Sequence, residues 1–372
     1  MRRVLRETVL KVFQKAFEQD AGRRAASQSL RSMLAWRPND ISSSVVGQQP
    51  FSDLGTRPKS VPTCQRDDII FVTARFRSGS TLLWNLFRNI PGFTSWYEPF
   101  NERRWFDPAA RGTTVDATHR LVDDYWKEFD GLESLGQHYD ESWTERDFYM
   151  PADAWNPSMK RFIEVMIEHA PGRSVLQFNR IDFRLPWIKA TFPRSKILHL
   201  YRHPRDAWCS VLQKNDRFPP DGRMQDFAPA DRFYTRRWAR DLKYHFPFLD
   251  ERLIEHPYEL HYYLWKLSWI YGRTYSDVSV SFEELTTQPE QTLVNVFDVC
   301  GVSLDEVASL LSLIVAPPLG KWTGYADDFW FRRLEERCEA VLAEFFARSE
   351  PRGHSKAGPE RVWMEPSDVV AP

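Results

Sequence analysis

Residues 75–81 carry the strongest chemical signal in the sequence. They read Arg-Phe-Arg-Ser-Gly-Ser-Thr and lie between an apolar run at 68–74 and an amphipathic pattern of helical period. A tight glycine-containing turn between a strand and a helix presents backbone N–H groups and the positive end of the helix dipole to an anion. Ser80 and Thr81 add hydroxyl donors, and Arg77 adds a permanent cation. The stretch predicts a phosphate-binding loop; the alternative is that its serine only caps the helix.

The loop differs from the phosphate loop of nucleotide kinases. The kinase loop has a lysine between its last glycine and a Ser or Thr, and this lysine reaches the β- and γ-phosphates. In this sequence Ser80 occupies the lysine position, and the basic residue Arg77 comes two positions before the glycine. No predicted strand ends in the acidic residue that would hold Mg²⁺. An ATP-dependent kinase is therefore a disfavoured alternative.

Two motifs carry a resemblance to a known family. Residues 77–81 match the 5′-phosphosulfate loop of sulfotransferases that use 3′-phosphoadenosine 5′-phosphosulfate (PAPS), which reads Lys or Arg, Ser, Gly and two residues that are Ser or Thr. Residues 197–210 resemble the 3′-phosphate element of the same family, in which a strand leads to an arginine and a serine follows eight residues later. Arg202 and Ser210 fit these positions. Over roughly residues 66–345, the sequence is similar to PAPS-dependent sulfotransferases of the carbohydrate or bacterial type.

The resemblance implies that PAPS is the co-substrate, that no metal is needed, and that a defined set of residues binds the nucleotide. These residues are Arg77, Ser78, Gly79, Ser80, Thr81 and Leu82 at the 5′-phosphate loop, Arg202 and Ser210 at the 3′-phosphate, Phe282 near the adenine, and Lys321 in a C-terminal Gly-Lys-Trp segment. Phe282 replaces a tyrosine of the family pattern. It can stack on a base but cannot donate a hydroxyl hydrogen bond.

Two residues are predicted to be catalytic. The resemblance implies that Arg77 stabilises the leaving oxygen, and that Glu98 is the base, because Glu-Pro-Phe at 98–100 matches the Glu-Pro-Leu or Glu-Pro-Phe of carbohydrate-type members. Asp182 is the alternative base, since residues 176–182 lack the histidine that phenol and steroid enzymes have there. The expected acceptor is the hydroxyl of a carbohydrate or another alkyl alcohol. A catalytically inactive partner protein that binds PAPS or its product is a further alternative, which the presence of both catalytic residues disfavours.

Apolar runs typical of strands alternate with helical patterns along the chain. The runs lie at 68–74, 174–178, 196–201 and 278–282. This alternation predicts an α/β fold with a central, mostly parallel sheet flanked by helices, in which ligands bind at the carboxyl ends of the strands. The resemblance implies the P-loop NTPase-like version of this fold. The aromatic-rich stretches 101–170 and 213–257 would be insertions.

The composition excludes several classes of protein. The 372 residues include 50 Lys and Arg against 51 Asp and Glu, so the chain lacks the basic excess of a nucleic-acid binder. A hydrophobic content of 42% excludes disorder over most of the chain. Four scattered cysteines do not form a disulfide framework or a zinc motif. No apolar run approaches the ~18 residues of a membrane span, so a cytoplasmic protein without a transmembrane segment is expected.

The pattern along the chain predicts three parts. An N-terminal helix and linker occupy 1–65, the sulfotransferase domain 66–345 and a C-terminal tail 346–372. Apolar residues recur at helical spacing near the N-terminus, namely Leu5, Val9, Val12, Phe13 and Phe17. Their helix would pack on its own domain or on a second copy of the chain, which would make a homo-oligomer. A membrane-surface helix is the alternative.

Overall fold

The computed structural model describes residue 66 and residues 68–349. The predicted N-terminal helix and linker lie outside these residues, as does the tail from residue 350 onward. None of the helices within the described range combines the length and the apolar character that crossing a bilayer requires.

A parallel five-stranded sheet forms the centre of the described chain, which confirms the predicted α/β fold. The strands are β1 (Ile70–Ala74), β2 (Phe93–Tyr97), β3 (Arg173–Phe178), β4 (Lys196–Tyr201) and β5 (Val278–Ser281). Their order across the sheet is β2-β3-β1-β4-β5, and every pairing is parallel. Four strands match the predicted runs, and β2 is a fifth strand that these runs did not include.

Helices connect the strands and flank the sheet. They are α1 (Ser80–Arg88), α2 (Pro157–His169), α3 (Leu185–Thr191), α4 (Pro204–Leu212), α5 (Thr235–Leu242), α6 (Pro257–Tyr275), α7 (Phe282–Thr287), α8 (Pro289–Cys300), α9 (Val307–Leu310) and α10 (Asp328–Ser349). The stretches between β2 and α2 and between α4 and α6 contain mainly turns and short 3₁₀ helices. These two stretches are the predicted aromatic-rich insertions.

Burial of β1 on both faces explains its continuous apolar sequence. Ile70, Val72 and Ala74 pack into one hydrophobic cluster with side chains of α1 and α8. Phe71 points the other way, into a second cluster with side chains of α2 and α3. Alternate residues of a strand face opposite sides of a sheet, so a strand covered on both sides needs apolar residues at successive positions. The segment that follows β1 is thereby fixed at the carboxyl edge of the sheet.

Candidate active site

Most of the predicted site residues lie at the carboxyl ends of the strands, and so does Asn179, which was not predicted. The loop 75–79 follows β1, Glu98 follows β2, Asn179 follows β3, Arg202 follows β4 and Phe282 follows β5. In a parallel sheet these ends share one edge, where ligands of open α/β folds bind. The fold therefore brings together residues that are up to about two hundred positions apart in the sequence.

The predicted phosphate-binding loop, residues 75–81, has a backbone that depends on glycine at one position. Gly79 precedes α1 with a φ of 89°, in the left-handed region. A Cβ atom at this position would lie 2.2 Å from Cδ2 of Phe282, whose ring rests on the loop. The backbone N–H groups of Ser80 and Thr81 belong to the first helical turn, which has no intrahelical acceptors for them. The loop therefore presents N–H donors at the edge of the sheet.

Replacing Gly79 with alanine should lower the free energy of unfolding by about 2–5 kcal/mol, because the left-handed backbone costs about 1–2 kcal/mol with a Cβ and displacement of the Phe282 ring costs about 1–3 kcal/mol more. Gly92→Ala is the matched control. Gly92 also has a left-handed φ, of 80°, but nothing lies within 4 Å of its added Cβ. Denaturant unfolding of both variants measures the difference, and equal losses would show that Phe282 does not constrain the loop.

Arg77 joins the loop to the second predicted motif. Its Nε donates to Oγ of Ser210 on α4 (3.1 Å), and its Nη1 donates to Oγ1 of Thr118 (3.4 Å). An ion pair with Asp116, 3.6 Å long, completes its surroundings. The Asp116 side chain is 44% exposed, and exposed pairs of this kind contribute little stability. The guanidinium therefore lies between the two predicted phosphate sites.

Arg202 is a buried cation beside the loop. The residue is only 6% exposed, and its Nη1 donates to the carbonyl oxygen of Arg77 (3.3 Å). Its Nε and Nη2 are buried and have no hydrogen-bond partner among the described residues. The ring of Phe282 stacks on the guanidinium, with its centroid 4.8 Å from Cζ. Burial lowers the pKa of Arg202, and the carboxylates of Asp206 and Glu283 oppose this change.

Lys321 and Leu82 are two further residues that were predicted to bind the nucleotide. Lys321 is exposed in a 3₁₀ turn, and two N–H groups of residues 320–322 donate to the carboxylate of Asp206 on α4 (2.8 and 3.3 Å). The turn is thereby held against the helix that carries Ser210. The N–H of Leu82 donates to the carbonyl of Gly79 (3.0 Å), which fixes the start of α1.

Glu98 is held in place by two amide side chains. The residue is 7% exposed, and its φ of 39° places its backbone in the left-handed region. Nδ2 of Asn101 donates to Oε2 (2.6 Å), and Nδ2 of Asn179 donates to Oε1. Burial raises the pKa of the Glu98 carboxyl, while the charge of Arg180 and the Asn101 bond oppose the rise. Such a carboxylate can accept a proton more readily than an exposed one.

Asn179 connects Glu98 to the loop. Its Oδ1 accepts a hydrogen bond from Oγ of Ser80 (3.2 Å). Because β3 lies between β2 and β1 in the sheet, Glu98 reaches the loop through this residue and not directly. The sequence analysis did not single out Asn179 or Asn101. Its place in the sequence could have indicated a role for Asn179, because it is the first polar residue after a buried strand and ligands bind where such strands end.

Comparison with known proteins adds one decisive observation. Residues 68–262 match the family model described as "Sulfotransferase family". The chain belongs to the sulfotransferase family. The matched range contains the loop, Glu98, Arg202 and Ser210, whereas Phe282 and Lys321 lie beyond it. Sulfuryl transfer is therefore the general activity of this chain, and the predicted family is confirmed.

Several solved structures resemble this sulfotransferase. A sulfotransferase of Mycobacterium tuberculosis, STF1, has 17% identity and a TM-score of 0.40, with 73% of this chain and 76% of that one covered. STF9 of Mycobacterium avium has 13% identity and a TM-score of 0.39, with 76% of each chain covered. A mouse sulfotransferase complexed with PAP has 14% identity and a TM-score of 0.36, covering 76% and 90%. Among the curated proteins, none matches the chain.

A second set of contacts in this sulfotransferase surrounds the hydroxyl of Thr81. Its Oγ1 lies 3.0 Å from Oη of Tyr97 and 3.3 Å from Nε2 of His119. Nδ1 of His119 lies 2.5 Å from Oη of Tyr125. Burial lowers the pKa of His119 to about 4, although the charge of Asp116 opposes this. The imidazole is therefore neutral at physiological pH and adds no positive charge to the loop.

Asp182, the alternative base, lies inside the core of the sulfotransferase. Its Oδ1 accepts from Oγ1 of Thr73 (2.8 Å), and its Oδ2 accepts from Oγ of Ser268 (2.9 Å) and pairs with Nη1 of Arg75 (3.5 Å). The residue is 1% exposed. Burial raises the pKa of its carboxyl, and the Arg75 charge opposes the rise. The carboxylate is thus engaged by three neighbours of the protein itself.

Proposed function

We propose that this sulfotransferase transfers the sulfuryl group of PAPS to the hydroxyl of a carbohydrate or another alkyl alcohol. The observation that best supports PAPS is the two buried nitrogens of Arg202, Nε and Nη2, that have no hydrogen-bond partner among the described residues. A buried donor without a partner costs about 1–3 kcal/mol, and more when it is charged. An anion beside the loop would satisfy both donors.

The two predicted anion sites suit a nucleotide that carries phosphates on the 3′ and 5′ oxygens of its ribose. The N–H groups and hydroxyls of residues 78–81 would hold the 5′-phosphate. Arg202 and Ser210 would hold the 3′-phosphate, with Lys321 on the turn beside α4. Phe282 packs between the loop and Arg202, so its ring would lie near the nucleotide without a hydroxyl to offer.

Arg77 and Glu98 would be the catalytic residues. Bound PAPS supplies an activated sulfuryl group on its 5′-phosphate. Arg77 would stabilise the negative charge that develops on the leaving oxygen, because an arginine stays charged and acts by electrostatics. Glu98 would accept the proton of the acceptor hydroxyl. Both carboxylates accept hydrogen bonds, but Asp182 also forms an ion pair with Arg75 and is 1% exposed against 7% for Glu98, so Glu98 is the more accessible base.

A cavity in the stretch between β2 and α2 is our candidate for the acceptor site; Glu98 does not line it, and Tyr139 links its wall to the segment that holds Glu98. The cavity has a volume of about 440 Å³, in the range of small-molecule sites. The rings of Phe106 and Tyr139 line it, as do the charged side chains of Arg104, Asp107, Glu133 and Glu141. Oη of Tyr139 donates to the carbonyl of Asn101 (3.0 Å), and the side chain of Asn101 holds Glu98. Aromatic rings combined with polar groups suit a hydroxylated acceptor.

The direct test is transfer of labelled sulfate from PAPS to a panel of sugars and alkyl alcohols. We expect labelled product without added divalent metal. PAP should bind without Mg²⁺ and ATP only weakly, because the loop lacks the kinase lysine. Tight binding of Mg-ATP with no affinity for PAP would contradict the proposal.

Replacing Arg202 with alanine should weaken binding of PAP by well over tenfold, because charge-assisted hydrogen bonds to the 3′-phosphate contribute roughly 1.5–3 kcal/mol. Binding of AMP, which lacks that phosphate, should change little. Isothermal titration of both nucleotides against parent and variant measures the two affinities. Equal losses for PAP and AMP would assign Arg202 another role.

A further inference from the structure

A buried hydrogen-bond relay runs from the phosphate-binding loop to Glu98. Ser80 Oγ donates to Asn179 Oδ1 (3.2 Å), and Nδ2 of the same Asn179 donates to Glu98 Oε1. Nε2 of Gln177 donates to the same Asn179 oxygen (2.8 Å). All four side chains are more than nine-tenths buried. A carboxylate can only accept hydrogen bonds, so the relay has one direction, from hydroxyl through amide to carboxylate.

We propose that Asn179 is a positioning residue through which occupancy of the loop changes the proton affinity of Glu98. This inference rests on the proposed function, because in it the Ser80 hydroxyl donates to the 5′-phosphate of a bound nucleotide. A serine hydroxyl has one hydrogen and cannot donate to the phosphate and to Asn179 together. On binding, Asn179 Oδ1 would therefore keep only the bond from Gln177.

Loss of the Ser80 bond would strengthen Glu98 as a base. Hydrogen bonds in a chain polarise one another by roughly 10–30% per bond. Without the Ser80 donor, the N–H of Asn179 becomes a weaker donor to Glu98, which favours the protonated carboxyl. The base would thus gain proton affinity only when the nucleotide is in place, and proton transfer would follow nucleotide binding.

Other groups around Glu98 affect its proton affinity without involving Ser80. Arg180, Asn101 and the hydroxyl of Tyr97 stabilise the carboxylate, Glu102 opposes it, and the hydroxyl of Tyr125 lies nearby. The negative charge of a bound nucleotide would also raise the proton affinity of Glu98 through space. The test must therefore separate the relay from this direct effect of charge.

Two neighbouring loop hydroxyls provide matched variants. Ser80→Ala removes the hydroxyl that contacts Asn179, whereas Thr81→Ala removes one that contacts Tyr97 and His119. Each is prepared with and without Glu98→Gln, as is the parent. The measurement is the number of protons taken up per PAP bound between pH 5 and 8, from calorimetry in buffers of different ionisation heat. Subtracting the Glu98→Gln result removes protons that belong to the phosphates and to other residues.

We expect Glu98-dependent proton uptake in the parent and a smaller uptake in Ser80→Ala, while Thr81→Ala measures the separate route through Tyr97, whose hydroxyl also contacts Glu98. The expected difference is a fraction of one proton per PAP bound, at most roughly 0.3. Asn179→Leu should show the same loss as Ser80→Ala, which checks the relay from its other end.

Undiminished uptake in Ser80→Ala would overturn the role of Asn179, and so would the absence of Glu98-dependent uptake in the parent. Either result leaves PAP binding, and hence the proposed function, intact. Failure of the parent to bind PAP at all would instead contradict the proposed function together with this inference.

Discussion

Glu98→Gln should lower turnover about 10²–10⁴-fold, the usual contribution of a general base, while the affinity for PAP stays within a few-fold. The glutamine keeps the size of the side chain but cannot take the acceptor proton. Single-turnover sulfate transfer and calorimetric PAP binding, measured side by side, separate these two effects. The comparison requires an acceptor from the panel described above.

The pH dependence of turnover gives a second readout for Glu98. A general base must be deprotonated, so turnover should rise with pH through the pKa of Glu98. Burial raises that pKa above the ordinary carboxyl value, so the acidic limb should lie at a correspondingly higher pH. In Glu98→Gln this limb should disappear from the residual activity.

Glu102→Gln is the control for Glu98→Gln. Glu102 is a neighbouring carboxylate that pairs with Arg180 (2.6 Å) and accepts from Tyr234 (2.6 Å), and it should retain most of the turnover. Both oxygens of Glu98 accept amide N–H bonds, so the new amide must turn its own N–H toward a donor. The free energy of unfolding is therefore measured for each variant. Parent turnover in a folded Glu98→Gln protein would move the search for the base to Asp182.

Arg77→Ala should reduce turnover about 10²–10³-fold, the effect of removing one donor from a developing oxyanion. The affinity for PAP should fall by a smaller factor, because the interaction strengthens as charge develops on the leaving oxygen. Arg77 has a left-handed φ of 67°. Alanine and arginine both carry a Cβ, so the substitution adds no backbone strain. Arg77→Lys should retain part of the activity, since related enzymes have lysine at this position.

Asp116→Asn is the matched control for Arg77. It removes the carboxylate that lies 3.6 Å from the guanidinium and leaves the cation in place. Because this pair is exposed and weak, turnover and PAP affinity should both stay within about threefold. Rate constants from single-turnover transfer and dissociation constants from calorimetry provide the comparison. If Arg77→Ala weakened PAP binding as much as it slowed transfer, Arg77 would stabilise the bound nucleotide and the transition state equally and would not act selectively on the transition state.

The segments that form one strand, one turn and one helix could be predicted from the amino-acid sequence alone. The strand, tight turn and helix around residues 70–88, and the strand and helix that carry Arg202 and Ser210, follow from apolar runs and turn residues that are close together in the chain. Such patterns depend on backbone sterics and on burial of a short segment, so they can be read without the rest of the molecule. The motifs on these segments also predicted the family that residues 68–262 confirm.

The contacts between side chains at the carboxyl edge of the sheet could be identified only from the folded structure. Glu98 and Asn179 are 81 positions apart, and Arg77 and Ser210 are 133 apart. Their contacts depend on the strand order β2-β3-β1-β4-β5, which apolar periodicity does not encode. The same order places Asn179 between Glu98 and the loop, and Asp182 is buried where it pairs with Arg75. A short segment can adopt its conformation by itself. A contact between distant residues forms only when the whole sheet assembles, because the connecting loops must then be closed and the faces of the sheet buried.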